Sequence, residues 1–258
     1  AEAPLDDVLQ HWAGLGYYSR ARNLHQAAQR VVKTGFFPRT PEGWRELPGV
    51  GKYTAGAVLS IALGLPEPIL DGNIRRVFSR MRLIGNRPER HQERHQKRRL
   101  WRLARIFVKQ GHAQGIAPGD LNQALMELGA TLCIPDNPRC LLCPLTLLCR
   151  ARQRGETHLY PPPRKSRPWT RVEEEAHCVF DEQGRVLLIR SPTARWRKGL
   201  WDLPTQRPHN LRRLGILHTH YVVTHHKVRR TTFVWEVQSQ WRAAEPGQSQ
   251  WVEGVATV

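Results

Sequence analysis

The chain has 258 residues, enough for one large domain or two ordinary ones. Its 40 lysines and arginines against 22 aspartates and glutamates give a formal net charge of +18, which favours a polyanionic partner such as nucleic acid. A basic surface that serves solubility alone is the alternative. No long apolar run or basic amphipathic anchor indicates a membrane role, and no signal peptide is found, so we expect an intracellular protein, in the cytoplasm or nucleoid if the source is bacterial.

The first 150 residues have the patterns of helices. Pro4 followed by Leu5, Asp6 and Asp7 predicts a helix start with acids in the first turn. The basic stretch RHQERHQKRR at 90–99 has no apolar face before Leu100, which leaves open a solvated loop or first helical turn and a phosphate-contacting loop. Three later segments carry apolar residues at helical spacing: Ile74, Val77, Phe78 and Met81; Leu100, Leu103, Ala104 and Phe107; Leu121, Leu125, Leu128 and Leu132.

The segment LPGVGKYTAGA, from Leu47 to Ala57, allows three interpretations: a dinucleotide-binding loop, a phosphate grip on nucleic acid, or a plain helix connection. A dinucleotide fingerprint requires a preceding strand and a second spaced glycine pair, whereas a helical pattern precedes this segment. Gly49 and Gly51 permit a tight turn that brings main-chain N–H groups close to a phosphate, and the next helix adds its positive N-terminal end. The plain connection remains the alternative to a phosphate grip.

Four of the five cysteines lie within 17 residues, in the spacing C-x6-C-x2-C-x5-C: Cys133, Cys140, Cys143 and Cys149. They are too crowded for two comfortable disulfides, and clustered cysteines in an intracellular chain more often bind metal. Four thiolates offered by one compact loop suit a cubane iron–sulfur cluster, with a zinc ion as the alternative. The fifth, Cys178, lies in an apolar run and is expected to be a small buried residue.

The composition changes after residue 154. The stretch GETHLYPPPRKSRPWTR at 155–171 contains three consecutive prolines and predicts a stiff, extended linker. HCVFDEQGRVLLIR then predicts two short strands around a glycine-containing turn, and TTFVWEVQ a third. We therefore predict domains at 1–154 and 172–258, joined by the linker 155–171.

Together these motifs resemble the MutY and endonuclease III family of DNA glycosylases. The cysteine spacing is similar to the family's iron–sulfur loop and LPGVGKYTAGA to its helix-hairpin-helix. ILDGNIRRV at 69–77 is similar to the segment with the family's essential aspartate, and GLGYYSRARNL at 14–24 to a stretch of MutY proteins. The resemblance implies an α+β protein: an all-helical helix-hairpin-helix glycosylase domain, followed by a small Nudix-like α/β domain. It also implies a [4Fe–4S] cluster on Cys133, Cys140, Cys143 and Cys149.

The implied activity is that of a monomeric adenine DNA glycosylase. It flips adenine out of an 8-oxoguanine·adenine or guanine·adenine mispair in double-stranded DNA and hydrolyses the N-glycosidic bond. Because the sugar becomes positively charged in the transition state, a fixed carboxylate stabilises it. The resemblance assigns this role to Asp71, with Asn73 placed to orient phosphate or water. Asp71 is also suited to cap the helix that bears Ile74.

Tyr53 occupies the position at which bifunctional relatives have the lysine that attacks the sugar and cuts the strand. Lys52 does not replace that lysine, because one residue along a helix rotates the side chain by about 100°. We therefore predict a glycosylase without a lyase step, in which Tyr53 stacks beside or wedges into the base pairs. Tyr17 and Tyr18 offer similar platforms or belong to the core. The predicted DNA contacts are Leu47, Gly49, Val50, Gly51, Tyr53 and Tyr17.

The second domain resembles the C-terminal domain of MutY proteins. GRVLLIRSP and GLWDLPTQ are similar to its early strands, and the Nudix hydrolase box with its glutamates is not found, so no pyrophosphatase activity is expected. YVVTHHKV at 221–228 is similar to the loop that contacts 8-oxoguanine in the family, which implies that Thr224 and His225 read this base. An ordinary polar turn between strands is the alternative.

The family's glutamate that protonates adenine lies in an N-terminal segment that has no match here, and the chain begins at Ala1. We therefore expect a fragment or a decayed protein that releases adenine at a rate near background. Two other functions stay open: a mispair-binding module without chemistry, and another helix-hairpin-helix mismatch glycosylase.

Overall fold

The computed structural model describes residues 1–85, 90–162, 167–190, 196–209, 211–237 and 249–253, with the backbone alone at 90–92. The chain divides into two compact units, Ala1–Arg164 and Lys165–Val258. No helix within the described ranges is both long enough and apolar enough to cross a membrane.

The first unit is helical in its described part. Single turns of other helix types lie at Val58–Ala62 (π) and at Cys140–Leu142, Thr146–Leu148 and Thr157–Leu159 (3-10). The α-helices are α1 (Leu5–His11), α2 (Ser19–Thr34), α3 (Pro41–Arg45), α4 (Lys52–Ala57), α5 (Gly72–Arg82), α6 (Arg90–Ala113), α7 (Pro118–Thr131) and α8 (Arg150–Gln153).

The predicted helices of this unit are confirmed. Helix α1 has Asp6 and Asp7 in its first turn, and the three apolar stripes line α5, α6 and α7. Residues 90–99 form the first turns of α6 rather than a loop, because their arginines, glutamines, glutamate and lysine are strong helix formers. The stripes meet in one core: Ile69, Ile74, Val77, Phe78, Ile84, Leu100, Ala104 and Leu125.

The second unit is a mixed sheet. The strands are β1 (Thr170–Phe180), β2 (Val186–Arg190), β3 (Trp201–Asp202), β4 (Arg212–Val223), β5 (His226–Glu236) and β6 (Ser249–Val252). Their order is β3-β2-β1-β5-β4, with β6 paired to β2; β1 and β5 run parallel and the other pairs antiparallel. Val179, Leu187 and Trp235 form its core. The predicted strands are confirmed as β1, β2 and β5, but the described residues of this unit contain no helix, so the α part of the expected α/β domain is not found in them.

The structure differs from the predicted linker 155–171 at both ends. Thr157–Leu159 forms a 3-10 turn and Tyr160 is only 5% exposed, because their carbonyl groups accept hydrogen bonds from the buried Arg80 of α5. Thr170 already begins β1. Residues 163–166 lie outside the described residues. The two described ends of the predicted linker therefore form regular structure.

Candidate functional site

A tight turn at residues 47–51 joins α3 to α4. Leu47 is buried, and the backbone N–H of Val50 donates to the Leu47 carbonyl at 3.1 Å. Gly49 has φ +74°, and a Cβ there would lie 2.6 Å from Nδ2 of Asn23, so the turn requires glycine at this position. Gly51 has φ −90° and open space around it, so the turn does not require glycine there. The turn itself thus requires glycine at residue 49, whereas the expected approach of a phosphate to Gly51 stays a prediction.

The first two residues of α4 point to different helices. The hydroxyl of Tyr53 donates to the Met126 sulfur of α7 at 3.6 Å, and the tyrosine remains 41% exposed. The Lys52 ammonium lies 4.0 Å from the ring centre of Trp101 in α6. The amine of Lys52 therefore does not take the position of the Tyr53 side chain, as the helical rotation predicts.

Asp71 is the N-cap of α5. Its Oδ1 accepts a hydrogen bond from the Ile74 N–H at 2.7 Å, which confirms the capping role. Within the described residues its Oδ2 accepts no hydrogen bond. One oxygen therefore fixes the carboxylate and the other is available to a ligand.

Asn73 is held against α7. Its Oδ1 accepts from Nη2 of Arg76 at 2.8 Å, and a Cβ on Gly129 would lie 2.6 Å from the Asn73 Cβ. The amide oxygen thus contacts another side chain, and the role of Asn73 toward phosphate or water stays a prediction. Met126, which contacts Tyr53, precedes Gly129 by three residues, about 4.5 Å along α7. Helix α7 therefore holds Tyr53 and the start of α5 on neighbouring turns.

The four clustered cysteines line one cavity at the end of α7. Cys133 follows the helix, Cys140 begins a 3-10 turn, and Cys143 and Cys149 end the two 3-10 turns of the loop. Arg80 and Arg152 line the same cavity. Burial raises the pKa of the Cys140 and Cys143 thiols; neighbouring thiolates raise both further, while the two arginines lower that of Cys140. In the described ranges no group of three His, Cys, Asp or Glu side chains is arranged to hold a metal ion, although the four cysteines line the same cavity.

Two arginines of α5, which the sequence analysis did not single out, join Asp71's helix to the cysteine loop. Arg76 donates from Nε to the Cys133 carbonyl at 2.6 Å and from Nη2 to the Gly129 carbonyl at 2.6 Å. Arg80 is 3% exposed and donates from Nη1 to the Cys133 sulfur at 3.4 Å. In the sequence, only their position beside the apolar stripe of α5 indicated a buried role. That signal is weak, because arginines next to core positions are normally exposed.

Tyr17 stands in a strained and exposed loop. It has φ +47° and is 71% exposed, between α1 and α2. Trp12 Nε1 donates to the Gly16 carbonyl at 3.0 Å, and the Arg20 guanidinium lies over the rings of both Trp12 and Tyr17. A bulky side chain at positive φ is a real outlier, and such strain marks functional positions more often than ordinary loops.

The second unit places Thr224 and His225 in the two-residue turn between β4 and β5. Thr224 has φ +54°, an unusual conformation for a β-branched residue, and its hydroxyl lies 3.3 Å from Nδ1 of His225. The His225 ring contacts the His226 ring in a tilted arrangement, at 4.0 Å between centres. Near the end of β4, the Tyr221 hydroxyl accepts a hydrogen bond from Arg197 at 2.9 Å, which ties the strand to the residues before β3. The turn thus carries a hydroxyl and an imidazole side by side.

Comparison with known proteins agrees with this geometry. The HhH-GPD superfamily of base excision DNA repair proteins matches residues 1–104. The adenine DNA glycosylase of Homo sapiens is 39% identical over 254 residues, which cover 80% of this chain and 45% of that protein. That of Schizosaccharomyces pombe is 36% identical over 240 residues, covering 77% and 50%, and that of Buchnera aphidicola subsp. Acyrthosiphon pisum is 37% identical over 162 residues, covering 62% and 44%.

The chain is a relative of the MutY-type helix-hairpin-helix glycosylases. It spans about half the length of the curated relatives it matches. In this chain, Arg76 joins the helix that Asp71 caps to the end of α7 and the cysteine loop, and Tyr53, which follows the glycine turn, contacts α7. The fixed Asp71 carboxylate can stabilise positive charge on a bound sugar.

Proposed function

We propose that the protein containing this chain is an adenine DNA glycosylase of base excision repair, which removes adenine mispaired with 8-oxoguanine or guanine in duplex DNA. The observation that carries this proposal is Asp71. Its carboxylate is fixed by the Ile74 N–H with one oxygen left available, in a chain similar to curated adenine DNA glycosylases.

The proposed reaction is hydrolysis of the bond between adenine and C1′ of its sugar. The bonding electrons leave with the base, which takes up a proton, and C1′ becomes positively charged. The Asp71 carboxylate stabilises this charge until water adds its hydroxide to C1′ and releases its own proton. No strand cleavage accompanies the step, because Tyr53 has no amine and the Lys52 ammonium lies over Trp101.

The proposed DNA contacts are main-chain groups of the turn at residues 47–51 and exposed aromatic rings. The turn offers main-chain N–H groups to a phosphate of the strand, and such contacts position the duplex without reading its sequence. Tyr17 and Tyr53 are exposed aromatic rings suited to stack against bases that adenine leaves behind when it flips. In the Nudix-like second unit, Thr224 and His225 contact 8-oxoguanine. The residues assigned to duplex binding are Leu47, Gly49, Val50, Gly51, Tyr53 and Tyr17.

A [4Fe–4S] cluster on Cys133, Cys140, Cys143 and Cys149 completes the proposal. The four sulfurs line one cavity, and four thiolates offered by one compact loop suit a cubane cluster. The buried Arg80 guanidinium supports a thiolate metal site at this loop, because its contacts in the described residues are carbonyls and the Cys133 sulfur, with no carboxylate. A negatively charged sulfur ligand supplies the missing counter-charge. When bound, the cluster supplies structural ties across the loop, and Arg76 and Arg80 link that loop to Asp71's helix.

Single-turnover adenine release by the complete protein tests the activity. With an 8-oxoguanine·adenine duplex we expect adenine release and an abasic strand that stays intact until alkali is added, and Asp71→Asn should slow release by several orders of magnitude. Asp120→Asn, at an exposed acid in the first turn of α7, is the matched control. Release of thymine instead of adenine, or tight mispair binding without any release, would replace this proposal by another mismatch glycosylase or by a binding module. Efficient borohydride trapping of an enzyme–DNA adduct would contradict the assignment of Tyr53.

The metal content tests the cluster separately. The purified protein should be brown, with iron and sulfide near four each per chain for a cubane. Cys143→Ser should lose the colour and most of the iron, whereas Cys178→Ser, at a half-buried position of β1, should keep both. One zinc per chain without visible absorption would contradict the cluster.

A further inference from the structure

Helix α6 carries a dense basic surface that the hairpin and Asp71 do not explain. Between residues 93 and 110 its exposed side chains include seven arginines and lysines against one acid, Glu93. A solvated helix normally mixes both signs, because like charges at neighbouring helical positions are destabilising. The excess of one sign therefore calls for a partner that compensates it.

The flank of α6 at Trp101 meets the hairpin. The Lys52 ammonium lies 4.0 Å from the Trp101 ring centre. Burial lowers the pKa of Lys52, and the positive charges of Arg105, Arg45 and Lys97 lower it further, while Glu67 raises it. Lys52 thus lies on the indole ring of α6, with cations of α3 and α6 near its ammonium and a single acid in reach.

The position of each residue on α6 follows from 100° per residue. Lys97 and Arg105 each lie four residues from Trp101, about 40° from it around the helix. Arg99 lies two residues before Trp101, about 160° from it, and Arg102 lies 100° from it. All four arginine and lysine side chains are exposed, so the helix offers one pair near the hairpin and one pair away from it.

We propose that Lys52, Lys97 and Arg105 form a second phosphate-binding surface that continues from the hairpin along α6. This proposal rests on the proposed function, since it takes the partner to be the duplex DNA that the hairpin holds. A DNA backbone neutralises these charges, whereas in the free protein they repel one another. Phosphate contacts carry no sequence information, so the surface adds affinity without adding preference for the mispair.

The salt dependence of DNA binding by the complete protein tests the surface. Lys97→Gln/Arg105→Gln is compared with the matched pair Arg99→Gln/Arg102→Gln, which removes the same charge from the same helix. Binding of a labelled duplex, with and without the mispair, is measured by fluorescence anisotropy between 50 and 200 mM KCl. The slope of log affinity against log salt should become shallower by about 2 for Lys97→Gln/Arg105→Gln, about 1 for each lost contact, and by much less for the control. Both duplexes should weaken by the same factor.

Equal slopes for the two variant pairs, or no change from the unmodified protein, would overturn the proposal. A loss confined to the mispaired duplex would also overturn it, since that indicates base readout. Adenine release at saturating protein distinguishes failure of the surface proposal from failure of the proposed function. Normal adenine release together with equal salt slopes would overturn only the phosphate-binding surface. If the two variant pairs differ in slope but the protein releases no adenine, the phosphate-binding surface is supported and the glycosylase assignment is wrong. Circular dichroism of each variant shows that the helix is intact.

Discussion

Replacement of Arg80 by methionine is the sharpest test of how the helical unit is held together. Arg80 is 3% exposed in α5, and its guanidinium fills the space between that helix, the cysteine loop and the 3-10 turn before the second unit. Methionine keeps the apolar stem and removes the charge and the donors. The hydrogen bonds run to five acceptors: the carbonyls of Thr157 (3.0 Å), Tyr160 (2.9 Å), Ile134 (2.7 Å) and Pro135 (2.7 Å) and the Cys133 sulfur (3.4 Å).

The cost follows from the acceptors that lose their donor. A buried acceptor left unsatisfied costs about 1–3 kcal/mol, so four carbonyls set an upper range of roughly 4–12 kcal/mol. Water that enters the vacated space and the relief of a buried charge offset part of it. Breaking a buried charged network typically costs about 3–5 kcal/mol, which we take as the expected loss. For a unit of this size that corresponds to a decrease in melting temperature of roughly 6–20 °C.

Thermal unfolding followed by the helical circular dichroism signal measures this loss. The melting temperature of Arg80→Lys should lie between those of the unmodified protein and Arg80→Met, because an ammonium keeps the charge but cannot reach acceptors on three segments at once. Arg82→Met, at an exposed position of the same helix, should change stability by less than about 0.5 kcal/mol. If Arg80→Met unfolds like Arg82→Met, the buried hydrogen bonds do not hold the loop and the reasoning fails.

Three further predictions concern the backbone and one buried histidine. Gly49→Ala should destabilise the helical unit by about 1–2 kcal/mol, whereas Gly51→Ala should leave its stability unchanged; equal effects in urea unfolding would contradict the turn geometry. Thr224→Gly should stabilise the second unit by up to about 1 kcal/mol, because glycine relieves the positive φ of Thr224. The same variant should discriminate less between 8-oxoguanine and guanine. Unchanged discrimination would mean that the turn does not read the base. Burial lowers the pKa of His177 below 6.5, although Glu175 raises it, so below pH 6.5 the unfolded chain binds a proton that the folded one refuses. The unfolding free energy of the sheet should therefore fall with pH below 6.5 by up to about 1.4 kcal/mol per unit, and His177→Gln should flatten this dependence.

Much of the fold was predictable because it depends on local patterns. The apolar stripes predicted α5, α6 and α7, and the β-branched runs predicted β1, β2 and β5, since helix and strand periods are written directly in the sequence. Short motifs likewise identified the hairpin, the capping aspartate and the cysteine loop. The end of the linker was missed because Tyr160 is buried by a distant arginine rather than by its neighbours.

The sequence by itself determined which chemistry is present: one aspartate before a helix, a Gly-Val-Gly turn and four spaced thiols. Only the tertiary structure decided how these parts depend on one another. Glycine is required at residue 49 because Asn23 of another helix lies against it, and Arg80 becomes structural because four carbonyls from distant segments converge on it. Likewise Lys52 and Tyr53, neighbours in the chain, diverge to α6 and α7. The physical reason is that periodicity and capping act over a few residues, whereas close packing and buried hydrogen bonds join residues that are far apart in the chain.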